Sequence, residues 1–180
     1  TFYILDYSPD KLPLLKRMIS EGHTIAVHGY SHKYSEIYKS EEAFMNNVYK
    51  LQEKIYDDTG YVTNIIRFPG GSSNTISKTY CPGVMTKIVK RLDDEGIVYV
   101  DWNVDSGDAN GSGINADKLY NNSVNGLKKG RSNIILMHDS DVKTTTPDAV
   151  KRVIEYGKKN GYTFLPLNES SATAHHGINN

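Results

Sequence analysis

Two histidines stand four residues apart in HGYSH, residues 28–32. On one helical turn, residues at that spacing have Cβ atoms roughly 5–6 Å apart, so two imidazoles could converge on one metal ion. Two ligands alone hold an ion poorly, because a catalytic zinc takes about three protein ligands and keeps a position for water. The pair also reads as two hydrogen-bonded polar residues of a turn. A third histidine, His138, follows the apolar run IILM. It reads either as a core histidine satisfied by a carbonyl or as a proton donor or acceptor that titrates near neutrality. Arg67 precedes Pro69-Gly70-Gly71. It could form a surface ion pair, worth little, or act as a fixed cation that orients a carboxylate. The two glycines would let backbone N–H groups approach a ligand closely, as an oxyanion hole requires. Asp101, Asp105 and Asp108 add carboxylates. No Gly-Lys-Ser/Thr follows the glycines, so this is not a phosphate loop. There is no Gly-x-Ser-x-Gly elbow, and Cys81 has no context that marks a nucleophile.

The elements that must position these residues follow from periodicity. TFYIL (1–5), TIAVH (24–28), NIIRFP (64–69), IVYVDWNVD (97–105), NIILMHD (133–139) and YTFLPL (162–167) are predicted strands. A helix is expected over 8–22, with Ser8 as cap, Pro9 in the first turn, Gly22 as stop and Leu12, Leu15, Met18 and Ile19 on one face. The clearest helix spans 40–60: Ser40 caps it, acidic residues fill its first turn, Phe44, Val48, Leu51 and Ile55 form its stripe, and Gly60 ends it. Further helices are expected over about 84–95, over about 115–128 with an end near Gly130, and over 146–161 with Thr146 as cap and Pro147 at the first position. Residues 70–82 and 106–113 read as loops, and the end, AHHGINN, as an exposed polar tail in which His175 and His176 serve no site. Six strands alternating with five helices argue for βα repeats and a parallel sheet. Ligand sites of such folds gather at the carboxyl ends of strands, where His28, Arg67, the three aspartates and His138 fall.

Bulk properties narrow the function. The 180 residues suffice for one domain with a real core. Lys+Arg and Asp+Glu are both 21, which removes the electrostatic argument for a nucleic acid or anionic membrane partner. With 38% hydrophobic and 23% charged residues the chain suits a soluble globular domain rather than a disordered one. No apolar run approaches the ~20 residues that span a bilayer, so no membrane insertion is expected. A single cysteine, Cys81, permits no intrachain disulfide. The thirteen tyrosines could line a sugar site or sit at ordinary half-buried surface.

GHTIAVHGYSHKY, IIRFPGGSSN, VDWNVDSGDA and NIILMHDS occur in that order. Together they resemble the polysaccharide deacetylases, the family 4 carbohydrate esterases, from residue 1 to about 167. The resemblance implies an α/β fold: a distorted, incomplete (β/α)7-type barrel with a parallel sheet, here as a single catalytic domain over 1–180 with a tail at 168–180. It implies metal-assisted removal of N-acetyl groups from a polysaccharide such as peptidoglycan or a chitin-type glycan, outside the cell or in its envelope. His28 and His32 would be ligands of a divalent metal, zinc or alternatively cobalt or another ion. Arg67 would hold the catalytic carboxylate and the Gly70 N–H would face the oxyanion. Asp108, with Asp105 in reserve, would keep His138 protonated as general acid, and Leu136 would line the pocket for the acetyl methyl.

Two departures stand out. Ala109 occupies a position where the family usually has Trp. The family also opens with a strand ending in Thr-Phe-Asp-Asp-Gly, which supplies the base and a third, carboxylate, ligand. That first βα unit is expected to be missing from this chain, and Asp6 is no substitute by position. The expectation is then a piece of a longer enzyme with weak metal binding and poor turnover. Competing expectations are a xylan O-acetyl esterase, a non-catalytic carbohydrate-binding protein that keeps the fold, and a structural βα domain with incidental histidines.

Overall fold

A computed structural model describes residues 1–180. The chain forms two compact units, one made of Thr1–Asp101 and Pro166–Asn180, the other of Trp102–Leu165.

The first unit is built on a four-stranded parallel sheet. Its strands are β1 (Phe2–Leu5), β2 (Ile25–Gly29), β3 (Ile65–Ile66) and β4 (Val98–Tyr99), in that spatial order. Phe2 pairs with Ile25, Val27 with Ile66, and Ile65 with Val98. Ile25, Ala26 and Val27 are buried in succession, the unbroken apolar run of a parallel strand covered on both faces. A 3-10 turn at Pro9–Lys11 leads into α1 (Leu12–Ser20). Ser8 contributes no cap bond, because its hydroxyl bonds the Asp10 carboxylate instead.

A short α2 (Tyr34–Ile37) precedes α3 (Glu41–Thr59). α3 follows its sequence closely. Ser40 accepts from the Ala43 N–H at 3.0 Å, Gly60 closes the helix in the left-handed conformation, and Phe44, Val48, Leu51 and Ile55 are all buried. Fully burying each such side chain contributes about 1.5–3 kcal/mol. Residues 70–82 are not loop throughout, since α4 (Ser77–Tyr80) forms there, with the Ser77 N–H donating to the Asn74 side chain. α5 (Val84–Asp94) completes the unit.

The second unit pairs β5 (Val104–Asp105) with β6 (Ile135–Leu136) in parallel, Val104 opposite Ile135 and Asp105 opposite Leu136. It adds α6 (Ala116–Gly126) and α7 (Thr146–Lys159), joined by an edge-to-face contact of Tyr120 and Tyr156.

Several expected boundaries shift. The run 97–105 is two strands in two sheets, not one. Its polar residues leave the ladder: the Asp101 N–H donates to Ala174 O, and the Asn103 side chain bonds Ile134 N and Ser132 O. Residues 162–167 form no strand, because the Leu167 N–H and carbonyl are taken by the hydroxyls of Thr1 and Thr24. α6 ends at Gly126, before Gly130. Thr145, not Thr146, precedes α7, and the Thr146 hydroxyl has another partner, described below. The tail is not free in solvent. It is docked on the first unit.

Candidate functional site

His28 stands at the end of β2 and His32 in the loop before α2. They do not share a helical turn. Their rings nevertheless lie 5.1 Å apart, because the chain turns sharply at Gly29. That turn has φ +123°, and a Cβ there would collide with the Asn47 amide at 2.5 Å. Asn47 holds the loop from α3, accepting from the Ser31 N–H at 2.6 Å and donating to Ser31 O at 3.3 Å. His28 Nδ1 lies 2.9 Å from the Arg67 carbonyl, which can only accept, so Nδ1 carries the proton. That fixes the tautomer in the manner of a metal-ligating histidine, whose second ring nitrogen is oriented by a carbonyl.

The Arg67 side chain is 8% exposed. Nε donates to Val100 O and Nη2 to Asp101 O, both at 2.9 Å, and the guanidinium stacks 3.9 Å over the Tyr3 ring. It is a buried clamp between strands rather than a surface ion pair. Burial pushes the Arg67 guanidinium down, against Tyr3 and Asp101, which raise it. Burial pushes the Tyr3 phenol up to about 12, and its hydroxyl is buried without a hydrogen-bond partner.

Gly70 has φ +80°, and a Cβ there would lie 2.9 Å from the Tyr34 hydroxyl. The turn around it is pinned from three sides. The Tyr38 hydroxyl donates to Pro69 O at 2.7 Å, the Gly71 N–H donates to Phe68 O, and the Asn74 amide donates to Gly71 O at 2.8 Å.

A carboxylate also belongs to this cluster, and it was given no role from sequence. Asp101 is fully buried. It accepts from Ser72 N at 2.9 Å, Ser72 Oγ at 2.5 Å and His176 N at 2.9 Å. The tail is the other missed element. His175 stacks on Tyr99 at 4.0 Å and bonds its carbonyl through Nε2 at 2.9 Å. Asn180 accepts from the Gly83 N–H at 2.7 Å, and its carbonyl takes the Thr86 N–H, so it caps α5 from 97 residues away. The polar run GGSSN and a strand-end aspartate were the signals available, but neither names its distant partner.

In the second unit, DSGD (105–108) resolves into four tasks. The Asp105 carboxylate accepts from the Gly107 N–H at 2.7 Å and shapes the turn. Ser106 Oγ donates to Leu136 O at 2.8 Å. Gly107 takes φ +79°. Asp108, 1% exposed in its side chain, accepts from His138 N at 2.6 Å, from His138 Nδ1 at 2.8 Å and from the Thr146 hydroxyl at 3.2 Å. Burial pushes the Asp108 carboxyl up, but the bonds from the His138 ring and N–H, the charge of His138 and the Thr146 hydroxyl outweigh it and hold it below the usual carboxylate range. Lys143 Nζ donates to the carbonyls of Asp108 and Gly111. The His138 side chain is 41% exposed, so its outer nitrogen is accessible. Leu136 is buried in β6, and Ala109 is exposed.

The donor types at His28 and His32 fit a zinc-class cation, and the set brought together there is two imidazoles. No group of three or more His, Cys, Asp or Glu side chains gathers in metal-holding geometry.

Comparison with known proteins assigns this assembly of motifs. The polysaccharide deacetylase family model matches residues 1–82. The catalytic domain of a peptidoglycan N-acetylglucosamine deacetylase from Eubacterium rectale is 43% identical, with a TM-score of 0.93 over 99% of this chain and 80% of that one. The chain belongs to the polysaccharide deacetylases, the family 4 carbohydrate esterases. Its α/β fold with parallel strands is that of their catalytic domains. Among curated relatives, YheN of Bacillus subtilis is 27% identical over 97% of this chain. The peptidoglycan-N-acetylglucosamine deacetylase PgdA of Listeria monocytogenes is 28% identical over 94% of it. The chain spans 60% of the length of YheN and 32% of that of PgdA.

Proposed function

We propose that the protein is a metal-dependent hydrolase that removes N-acetyl groups from the GlcNAc residues of a polysaccharide, peptidoglycan before chitin-type glycan. The observation that carries this reading is the grip of the buried Asp108 carboxylate on both His138 N and His138 Nδ1. It presents the outer imidazole nitrogen to solvent in one orientation, as a proton donor to a leaving amine requires. The choice of peptidoglycan rests on the 43% identity to the Eubacterium rectale domain, and the choice places the reaction outside the cell or in its envelope.

In this reading His28 and His32 would hold a divalent cation, zinc first, His28 through the ring nitrogen opposite the one bonded to the Arg67 carbonyl. Bound there, the cation supplies Lewis-acid polarisation of the acetyl carbonyl and makes a water more acidic. Arg67 fixes the strand ends that carry the Gly70 turn, whose N–H faces the developing oxyanion. Leu136 contacts the acetyl methyl. His138 Nε2 gives its proton to the sugar nitrogen as the C–N bond breaks, while the Asp108 carboxylate stabilises the charged ring. No helix is long and apolar enough to cross a membrane, and the partner is the glycan itself.

The test is acetate release from peptidoglycan and from GlcNAc oligosaccharides by the intact protein, with and without chelator. Chelator-sensitive release that His28→Ala and His138→Ala each abolish is the expected result. Glycan binding that is indifferent to chelator, with no acetate released, would replace the enzyme by a carbohydrate-binding protein.

A further inference from the structure

The turn at Gly70 is surrounded by two tyrosines that behave differently. Tyr38 is fully buried and its hydroxyl is used by the protein, donating to Pro69 O at 2.7 Å. Tyr34, half-buried, is the first residue of α2. Its ring is fixed from both sides, 5.4 Å from the His32 ring and 5.7 Å from the Tyr38 ring. Its hydroxyl is not among the groups that pin the turn, which are supplied by Tyr38, Asn74 and Gly71. Instead it occupies the space that a side chain at position 70 would fill, 2.9 Å from a Cβ built there. A phenolic O–H therefore hangs over the Gly70 backbone on the side that continues to His32.

That position suits one chemical task. An acetamide carbonyl that docks at Gly70, near the cation ligands, gains negative charge on its oxygen when the carbonyl carbon is attacked. A donor held by packing, and needing no reorganisation, stabilises that charge most effectively. Tyr34 is held by two ring contacts and by α2, whose turn is braced by the bond from Ser31 Oγ to Glu36 and by the Lys33–Glu36 ion pair. We propose that Tyr34 is a catalytic residue whose hydroxyl donates a hydrogen bond to the acetyl oxygen as it becomes an oxyanion. The proton stays on the phenol throughout: water adds to the carbonyl carbon and releases its proton to solvent, and the C–N bond breaks as His138 protonates the nitrogen, leaving acetate and the free amine. This assignment rests on the deacetylase reading above. It also accounts for the glycine at 70, since any side chain there would displace the hydroxyl.

Tyr34→Phe removes the oxygen and keeps both ring contacts, so the fold should hold, which a thermal melt checks. The decisive measurement is kcat and KM for acetate release from a chitin-type GlcNAc trimer by the intact protein. The expected result is a fall in kcat of about 10²-fold, the usual cost of one oxyanion donor, with KM little changed. A kcat equal to wild type overturns the assignment, as does a raised KM with kcat kept, which would make the hydroxyl a ground-state sugar contact. If the wild-type protein itself releases no acetate, both this assignment and the deacetylase reading fall. If wild type is active and Tyr34→Phe matches it, this assignment falls alone.

Discussion

The two units fix their candidate residues by opposite means. In the second unit a carboxylate and an imidazole hold each other directly: Asp108 meets His138 at two atoms, and Thr146 supplies the remaining donor. In the first unit the bonds seen at the assigned residues run to backbone groups. His28 is aimed by a backbone carbonyl, His32 by the Gly29 turn, and Arg67 bonds the carbonyls of Val100 and Asp101. The carboxylate there, Asp101, binds a serine of the Gly-rich turn and the N–H of His176 in the docked tail. The chemistry of the second unit is thus concentrated in side chains. That of the first is distributed over the backbone, so its residues should be harder to separate from the fold.

That contrast can be broken by mutation. The largest effect should come from His138→Ala in the intact protein. It should lower kcat by about 10²–10⁴, the range for a lost general acid, and cost less stability than Arg67→Met, because the buried Asp108 carboxylate keeps the bonds from the N–H of residue 138 and the Thr146 hydroxyl. A large loss of stability together with activity would erase the contrast. Arg67→Met should do what His138→Ala does not. It strips two buried carbonyls of a charged donor and should destabilise the protein by roughly 2–4 kcal/mol, read from urea unfolding.

Acid should discriminate next. The folded Asp108 carboxyl lies below its ordinary value, so its contribution is fully present above the unfolded pKa near 3.9 and is lost as pH falls through the lower folded value. The melting temperature of wild type should therefore drop over that acidic window more steeply than that of Asp108→Asn. Parallel curves would show that the carboxylate contributes nothing to the fold. The smallest effect should be Asn180→Ala, which keeps the backbone carbonyl that takes the Thr86 N–H but removes the side-chain oxygen that takes the Gly83 N–H before α5, and should cost about 1 kcal/mol, measured by denaturant midpoint with unchanged slope.

Local pattern made much of this legible. The 40–60 helix was readable to the residue at both ends, because a capping serine, a 3.6-residue stripe and a terminal glycine each report on their own neighbourhood. Asp108 and His138 were readable as partners from motif order, and the structure brings them within 2.8 Å. Asp101 was visible only as one aspartate at a strand end. Its partners lie 29 and 75 residues away, and nothing in the sequence around it names them. For the same reason AHHGINN reads as a solvated tail until Tyr99, Ser72 and Gly83 are seen to receive it.

By itself the sequence determined the helices, the parallel βα order, the family motifs and the candidate set His28, His32, Arg67, Gly70, Asp108, Leu136 and His138. The helices and the βα order follow from periodicity and turn chemistry, which act within about a dozen residues, and the candidate set follows from the resemblance of the ordered motifs to the family. Only the tertiary structure decided that 97–105 divides between two sheets, that Arg67 is a buried clamp, that the tail seals Asp101 and caps α5, and that the Tyr34 hydroxyl overhangs Gly70. Each of those depends on a polar group finding its partner across a long stretch of chain. Burial makes such pairings obligatory, but the chain's local pattern does not encode which partner it will be.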